Sequence, residues 1–176
     1  MPNNQHGLIA LKTDITALEL DVIVNAANEQ LAEGGGVCGA IFHAAGHGLG
    51  DACRALAPCP TGDARLTPGF QLPAKYIIHA VGPIWSGGEA GEAELLAGAY
   101  RSSLQLADQH GCMSIAFPAI STGIFGYPLD LATEIAVKTV QQYLAGSTKL
   151  EQVIFTCFSD DVLDAYVKQN LSTSLP

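Results

Sequence analysis

The alternation of apolar runs and amphipathic segments after residue 70 predicts an α/β fold, with a largely parallel sheet and helices on both faces. Two further observations point the same way. Val22–Val24 runs into Asn25-Ala26-Ala27-Asn28 and then the glycines Gly34, Gly35 and Gly36. Ile115–Ile120 runs into Ser121-Thr122-Gly123-Ile124-Phe125-Gly126 and then a helical segment from Leu129. Each is a strand-to-loop-to-helix transition made of small residues. Such loops set backbone amide donors at the carboxyl edge of a sheet, where open α/β folds bind ligands.

Taken in order, Leu8–Leu11 reads as a short strand and Val22–Val24 as a buried strand that ends at the first of two amides. Cys38–Ala45 reads as a helix abutting the glycine run, and a loop follows around Pro58 and Pro60. Ala64–Thr67 is a candidate short strand, and Lys75–Val81, with its Tyr-Ile-Ile-His-Ala-Val core, a clear one broken by Gly82 and Pro83. Glu92–His110 carries Leu95, Leu96, Ala99, Leu104, Leu106 and Ala107 at the spacing of a long amphipathic helix. Ser114–Phe117 is the next strand, Leu129–Leu144 a second long helix and Val153–Phe158 a final buried strand. Asp160–Gln169 closes the chain as a helix capped by Ser159 or Asp160.

At 176 residues and 48% hydrophobic content, residues 1–176 are expected to form one domain, burying about 70% of the surface of the unfolded chain. The formal charge is −9 and the eight basic residues are scattered singly from Lys12 to Lys168, so there is no basic stripe for a nucleic-acid backbone. Neither glycine loop contains Lys or Arg. A phosphate bound there is held by backbone dipoles, and a Walker-type nucleotidase loop is excluded for want of its lysine. Five cysteines with no CxxC pair indicate neither a disulfide framework nor structural zinc. Met1–His6 lacks the basic and apolar regions of a signal peptide, and no apolar run approaches membrane-spanning length, so a cytoplasmic protein that does not engage membranes is expected.

Thr13-Asp14-Ile15-Thr16, Val24–Asn28, Gly34–Val37, Cys59–Gly62, the run from Leu72 to Pro83 and the loop from Phe117 to Pro128 together resemble the macrodomain family. The match runs from about Leu8 to Phe158, and it resembles the bacterial branch allied to O-acetyl-ADP-ribose deacetylases and mono-ADP-ribosyl hydrolases. Any one glycine motif is weak evidence; the ordered set is specific. The resemblance implies a three-layer α/β/α sandwich with a mixed, largely parallel central sheet. It also implies a crevice for ADP-ribose as ligand or product, with ADP-ribosylated proteins as further partners and no cofactor or metal.

Carried over residue by residue, the resemblance makes Asp14 the acceptor for the adenine amino group, with the Ile15 backbone beside it; Asp14 is equally suited to capping a turn that runs to Thr16. Phe158 either lies against adenine or is ordinary strand core, and Phe125 lies against the distal ribose. Ser121, Thr122, Gly123 and Ile124 supply diphosphate contacts, and Gly35, Gly36 and Val37 contacts near the distal sugar. Asn28 orients the distal ribose through an amide that both donates and accepts. Asn25 reads as a structural amide that pins the loop, and His79, inside an apolar strand, as a core histidine.

One departure bears on chemistry. Where the deacetylase-like branch has an Asp after Gly-Gly-Val and a His four residues on, this chain has Cys38 and Phe42. A thiol with an ordinary pKa of about 8.5 and a phenyl ring do not make an acid/base pair at neutral pH. Three readings stand. Hydrolysis proceeds with Asn28 and the loop amides orienting the ribose while the substrate's own diphosphate positions water. Alternatively the domain is a weak or inactive reader of ADP-ribose, or Cys38 at a helix amino end is itself a nucleophile.

Overall fold

A computed structural model describes residues 7–175; the reading of Met1–His6 lies outside them. Six strands form one sheet: β1 (Gly7–Lys12), β2 (Val22–Ala27), β3 (Ala64–Pro68), β4 (Tyr76–Val81), β5 (Ser114–Phe117) and β6 (Gln152–Cys157). Their spatial order is β1-β6-β5-β2-β4-β3. Every pairing is parallel except that of β3 with β4, which makes the sheet mixed and largely parallel. Every strand expected from the sequence is present.

The helices are α1 (Gly36–Ala45), α2 (Gly48–Leu56), α3 (Glu92–Gln109), α4 (Leu129–Leu144) and α5 (Asp160–Val167), with a 3₁₀ turn at Ile15–Ala17. Strand side chains alternate between faces, and the core divides accordingly. Val22 and Val24 of β2, Ile78 and Ala80 of β4, and Phe117 and Phe155 pack with Leu96, Tyr100, Val140 and Tyr166 from α3, α4 and α5. Ile23, Ile77, Ala116 and Ile154 pack on the opposite face with Ile41, Leu49 and Cys53 from α1 and α2. Helix layers therefore cover both sides, as a three-layer sandwich requires.

Three local readings are corrected. Helix α2 had no counterpart in the sequence reading, because Gly46, Gly48 and Gly50 break the apolar period; it forms because Leu49 and Cys53 bury completely in the α1-side core. Strand β2 does not end at Val24 but continues through Asn25 to Ala27, since all six residues pair in register with Tyr76–Val81 of β4. Phe158 lies one residue beyond β6 and is 83% exposed, so it is not core. Of the two candidate caps for α5, Ser159 accepts the bond from the Val162 amide.

Candidate functional site

At the carboxyl edge of the parallel strands lies a cleft of about 830 Å³, within the range of about 300–1,000 Å³ common for small-ligand sites. The strand order sets its polarity. Asp14 and Ile15 follow β1, Phe158 follows β6, residues 118–125 follow β5, and residues 28–38 follow β2, with Gly82 after β4 beyond them. Asp14, Ile15, Asn28, Gly35, Gly36, Val37, Cys38, Ser121, Thr122, Gly123, Ile124, Phe125 and Phe158 all line this one cleft.

At the β1 end, Asp14 caps the 3₁₀ turn: its Oδ1 accepts from the Thr16 amide at 2.9 Å and from Thr16 Oγ1 at 2.7 Å. Capping and facing the cleft are thus simultaneous roles rather than alternatives. Lys12 also lines this end, but its ammonium pairs with Asp160 at 2.9 Å. The exposed ring of Phe158 completes it.

In the middle stands the loop after β5. Its turns close through its own backbone: the Thr122 amide and hydroxyl both donate to Ala119 O, Gly126 N donates to Gly123 O, and Tyr127 N donates to Ser121 O at 2.9 Å. Ser121 adopts φ 69°, a left-handed conformation sparsely populated by residues with a Cβ. From behind, the buried Tyr100 hydroxyl donates to Pro118 O at 3.4 Å and accepts from Ile120 N at 3.3 Å. Trp85 N donates to Phe125 O at 2.8 Å, so the loop reaches across β2 to the segment after β4. The Ser121 hydroxyl is buried without a hydrogen-bond partner and packs against Gly82.

The other wall is the loop after β2. Asn28 Nδ2 donates to Ala32 O at 3.1 Å and Asn28 Oδ1 accepts from Ala32 N at 3.0 Å, so the amide closes its own loop as well as facing the cleft. Each of its polar atoms retains capacity for one more bond. Glu29 Oε1 takes the Thr61 amide and hydroxyl, tying the loop to the Cys59–Gly62 stretch. Gly35 is the N-cap of α1 with no side-chain hydrogen bond. The first amides of the helix therefore face the cleft unpaired along the helix, a ready anion site. Gly36 has φ 57°, which favours glycine at the turn into the helix.

Cys38 is 6% exposed in the first turn of α1. Its sulfur donates to Ala32 O at 3.7 Å and accepts from Asn25 Nδ2 at 3.6 Å. Phe42 is buried in the α1-side core, not in the cleft lining. Among the described residues lining the cleft the carboxylate is Asp14, at the far end from Asn28 and Cys38. His79 is fully buried in β4, where burial brings its pKa down to about 4, and His43 and His47 are exposed outside the lining.

The sequence reading gave no site role to Gly82 and Ala40, both of which line the cleft. A Cβ on Gly82 would lie 2.2 Å from Ser121 Oγ and 2.5 Å from Ile120 Cγ2, so the segment after β4 closes on the β5 loop only because this residue has none. The available signal was a glycine directly after a buried strand, which local reasoning treats as a simple strand break.

The Macro domain family model matches residues 24–136 of the chain. A macro domain-containing protein of Chlorobaculum tepidum is 56% identical over 168 residues, covering 96% of this chain and 97% of that protein. The O-acetyl-ADP-ribose deacetylase of Klebsiella pneumoniae is 52% identical over 157 residues, covering 87% and 90%. Among solved structures, the Oceanobacillus iheyensis macrodomain with ADP superimposes with a TM-score of 0.90 at 41% identity, covering 96% of this chain and 92% of that one. The Trypanosoma brucei macrodomain in complex with ADP-ribose gives 0.88 at 41% identity, covering 94% and 69%.

Proposed function

The chain belongs to the macro domain family, and from that premise we propose that its cleft binds ADP-ribose and hydrolyses O-acetyl-ADP-ribose or mono-ADP-ribosylated protein, without metal. The observation that carries this reading is the pairing of two amide-lined walls, the N-terminus of α1 and the Ser121–Gly126 loop, around one cleft. Such walls suit a diphosphate held without Lys or Arg. The β1 end then takes adenine, with Asp14 Oδ2 accepting its amino group and Phe158 against its face. The distal ribose lies against Asn28, the α1 amides and Phe125.

Turnover in this scheme asks little of acid/base side chains. Asn28 and the backbone amides orient the distal ribose, and the substrate's own diphosphate positions water against the ester carbonyl. Water adds to the acyl carbon, the acyl–oxygen bond breaks, and the proton goes to the ribose oxygen, giving a carboxylic acid and ADP-ribose. Cys38 supports a second reading. Its hydrogen bonds go to a backbone carbonyl and an amide rather than to a base, and with Phe42 in the core the distal end holds no acid/base pair among the described residues, which favours a reader of ADP-ribose.

Calorimetric titration with ADP-ribose, followed by incubation with O-acetyl-ADP-ribose and with a glutamate-linked mono-ADP-ribosylated protein, separates the two. Binding with release of ADP-ribose, abolished by Asn28→Ala, is the expected result. Binding without turnover makes the domain a reader, and absence of binding overturns both readings.

A further inference from the structure

The alternation that divides the core also places two polar side chains where only apolar ones are expected. Asn25 follows Ile23 by two residues in β2 and His79 follows Ile77 by two in β4, so both point into the α1/α2 layer, and the two are paired in register. Asn25 is 1% exposed and His79 is fully buried. There, Asn25 Nδ2 lies 3.1 Å from His79 Nδ1 and 3.6 Å from Cys38 Sγ. His79 Nε2 lies 3.0 Å from Thr67 Oγ1 and 3.7 Å from Cys53 Sγ.

The directions of these bonds are mutually consistent. The Asn25 amide nitrogen can only donate, so His79 Nδ1 is the acceptor and the ring proton sits on Nε2, directed at Thr67. Both amide protons of Asn25 are then engaged, one by the imidazole and one by the sulfur. The thiol proton is left for Ala32 O, the same carbonyl that receives Asn28 Nδ2. A continuous chain thus runs from Thr67 through His79, Asn25, Cys38 and Ala32 to Asn28. Asn25 Oδ1 is left buried without a partner, a cost that packing alone gives no reason to keep.

We infer that Asn25, oriented by His79, is a positioning residue for the distal end of the cleft: it sets Cys38 and, through the shared Ala32 carbonyl, the amide of Asn28. This rests on the reading that the distal ribose lies against Asn28. It touches neither the adenine end nor the Ser121–Gly126 wall of the diphosphate, so its effect falls mainly on the distal ribose, which ADP lacks.

The test is calorimetry with both ligands on the wild-type protein, Asn25→Ala and His79→Leu. We expect the dissociation constant for ADP-ribose to rise about tenfold in Asn25→Ala and about threefold in His79→Leu, while that for ADP stays within about twofold in both. Equal weakening of both ligands, or unchanged preference for ADP-ribose in Asn25→Ala, overturns the inference. A wild-type protein with no preference for ADP-ribose over ADP instead removes the distal-ribose reading, and the inference with it. Long-range ¹⁵N correlation spectra of the wild-type imidazole need no variant to fold: a bare Nδ1 and protonated Nε2 are expected at pH 7, and a protonated Nδ1 overturns the chain.

Discussion

The two loops that wall the cleft are built differently. The loop after β5 is closed by its own backbone bonds and braced from behind by a buried tyrosine hydroxyl, with a non-glycine residue in left-handed conformation at its centre. The loop after β2 is anchored at its base by side chains, Asn28 on Ala32 and Glu29 on Thr61, and its tip, Gly34–Gly36, is exposed. One wall is therefore preformed, and the other has a fixed base and a yielding tip. On the proposed reading, a diphosphate bound between them meets a braced loop on one side and the exposed amides of Gly34–Gly36 on the other.

Added methyl groups test this difference most severely. In Gly82→Ala the new Cβ falls on Ser121 Oγ and Ile120 Cγ2 of the braced loop. We expect ADP-ribose affinity to fall by about 100-fold or more and unfolding free energy to drop by about 1–3 kcal/mol, read by calorimetry and urea titration. In Gly39→Ala the Cβ falls 2.6 Å from the Gly34 carbonyl, part of the yielding tip. Affinity should fall about tenfold and stability by about 1 kcal/mol, the low end for an inserted methyl. If Gly39→Ala proves as damaging as Gly82→Ala, the two walls are equally rigid and the comparison fails.

Tyr100→Phe removes the brace but not the ring, whose packing against Phe117 at 5.0 Å between centroids remains. Two bonds of 3.3 and 3.4 Å are lost. The expected cost is about 1 kcal/mol and a loss of affinity of about fivefold. Amide exchange should quicken at residues 120–126 and stay unchanged at residues 28–36; faster exchange in both loops would show that the walls are coupled.

A pH dependence tests the buried polar chain behind the β2 loop. Burial lowers the pKa of His79 from 6.5 to about 4. Between these values the unfolded chain binds more protons than the folded one, so stability rises with pH across that window. The contribution of His79 is complete above pH 6.5 and is lost as pH falls through 4, with a slope of at most about 1.4 kcal/mol per pH unit. Urea titrations at pH 7, 5.5 and 4.5 should show this slope in the wild type and not in His79→Leu. Below it, Glu92 gives a second window. The amides of Gly88, Ser86 and Ala90 hold its carboxylate at about 2 against an ordinary 4.5, so its contribution is lost as pH falls from 4.5 through 2.

By itself the amino-acid sequence determined the elements whose periods are local: all six strands, the two long helices, and the two glycine loops whose residues then line one cleft. Local pattern alone did not yield α2, whose glycines break the period and whose formation depends on burial of Leu49 and Cys53 against the sheet. Nor did it yield the site role of Gly82, which exists only because the segment after β4 meets the loop after β5 across another strand. The same holds for Phe158, exposed because β6 stops one residue sooner, and for the chain from His79 to Asn28. Asn25 and His79 are 54 residues apart, and no local period encodes which strand a residue will face. Strand order and register are set by non-local pairing, and the groups that meet at the cleft are chosen there.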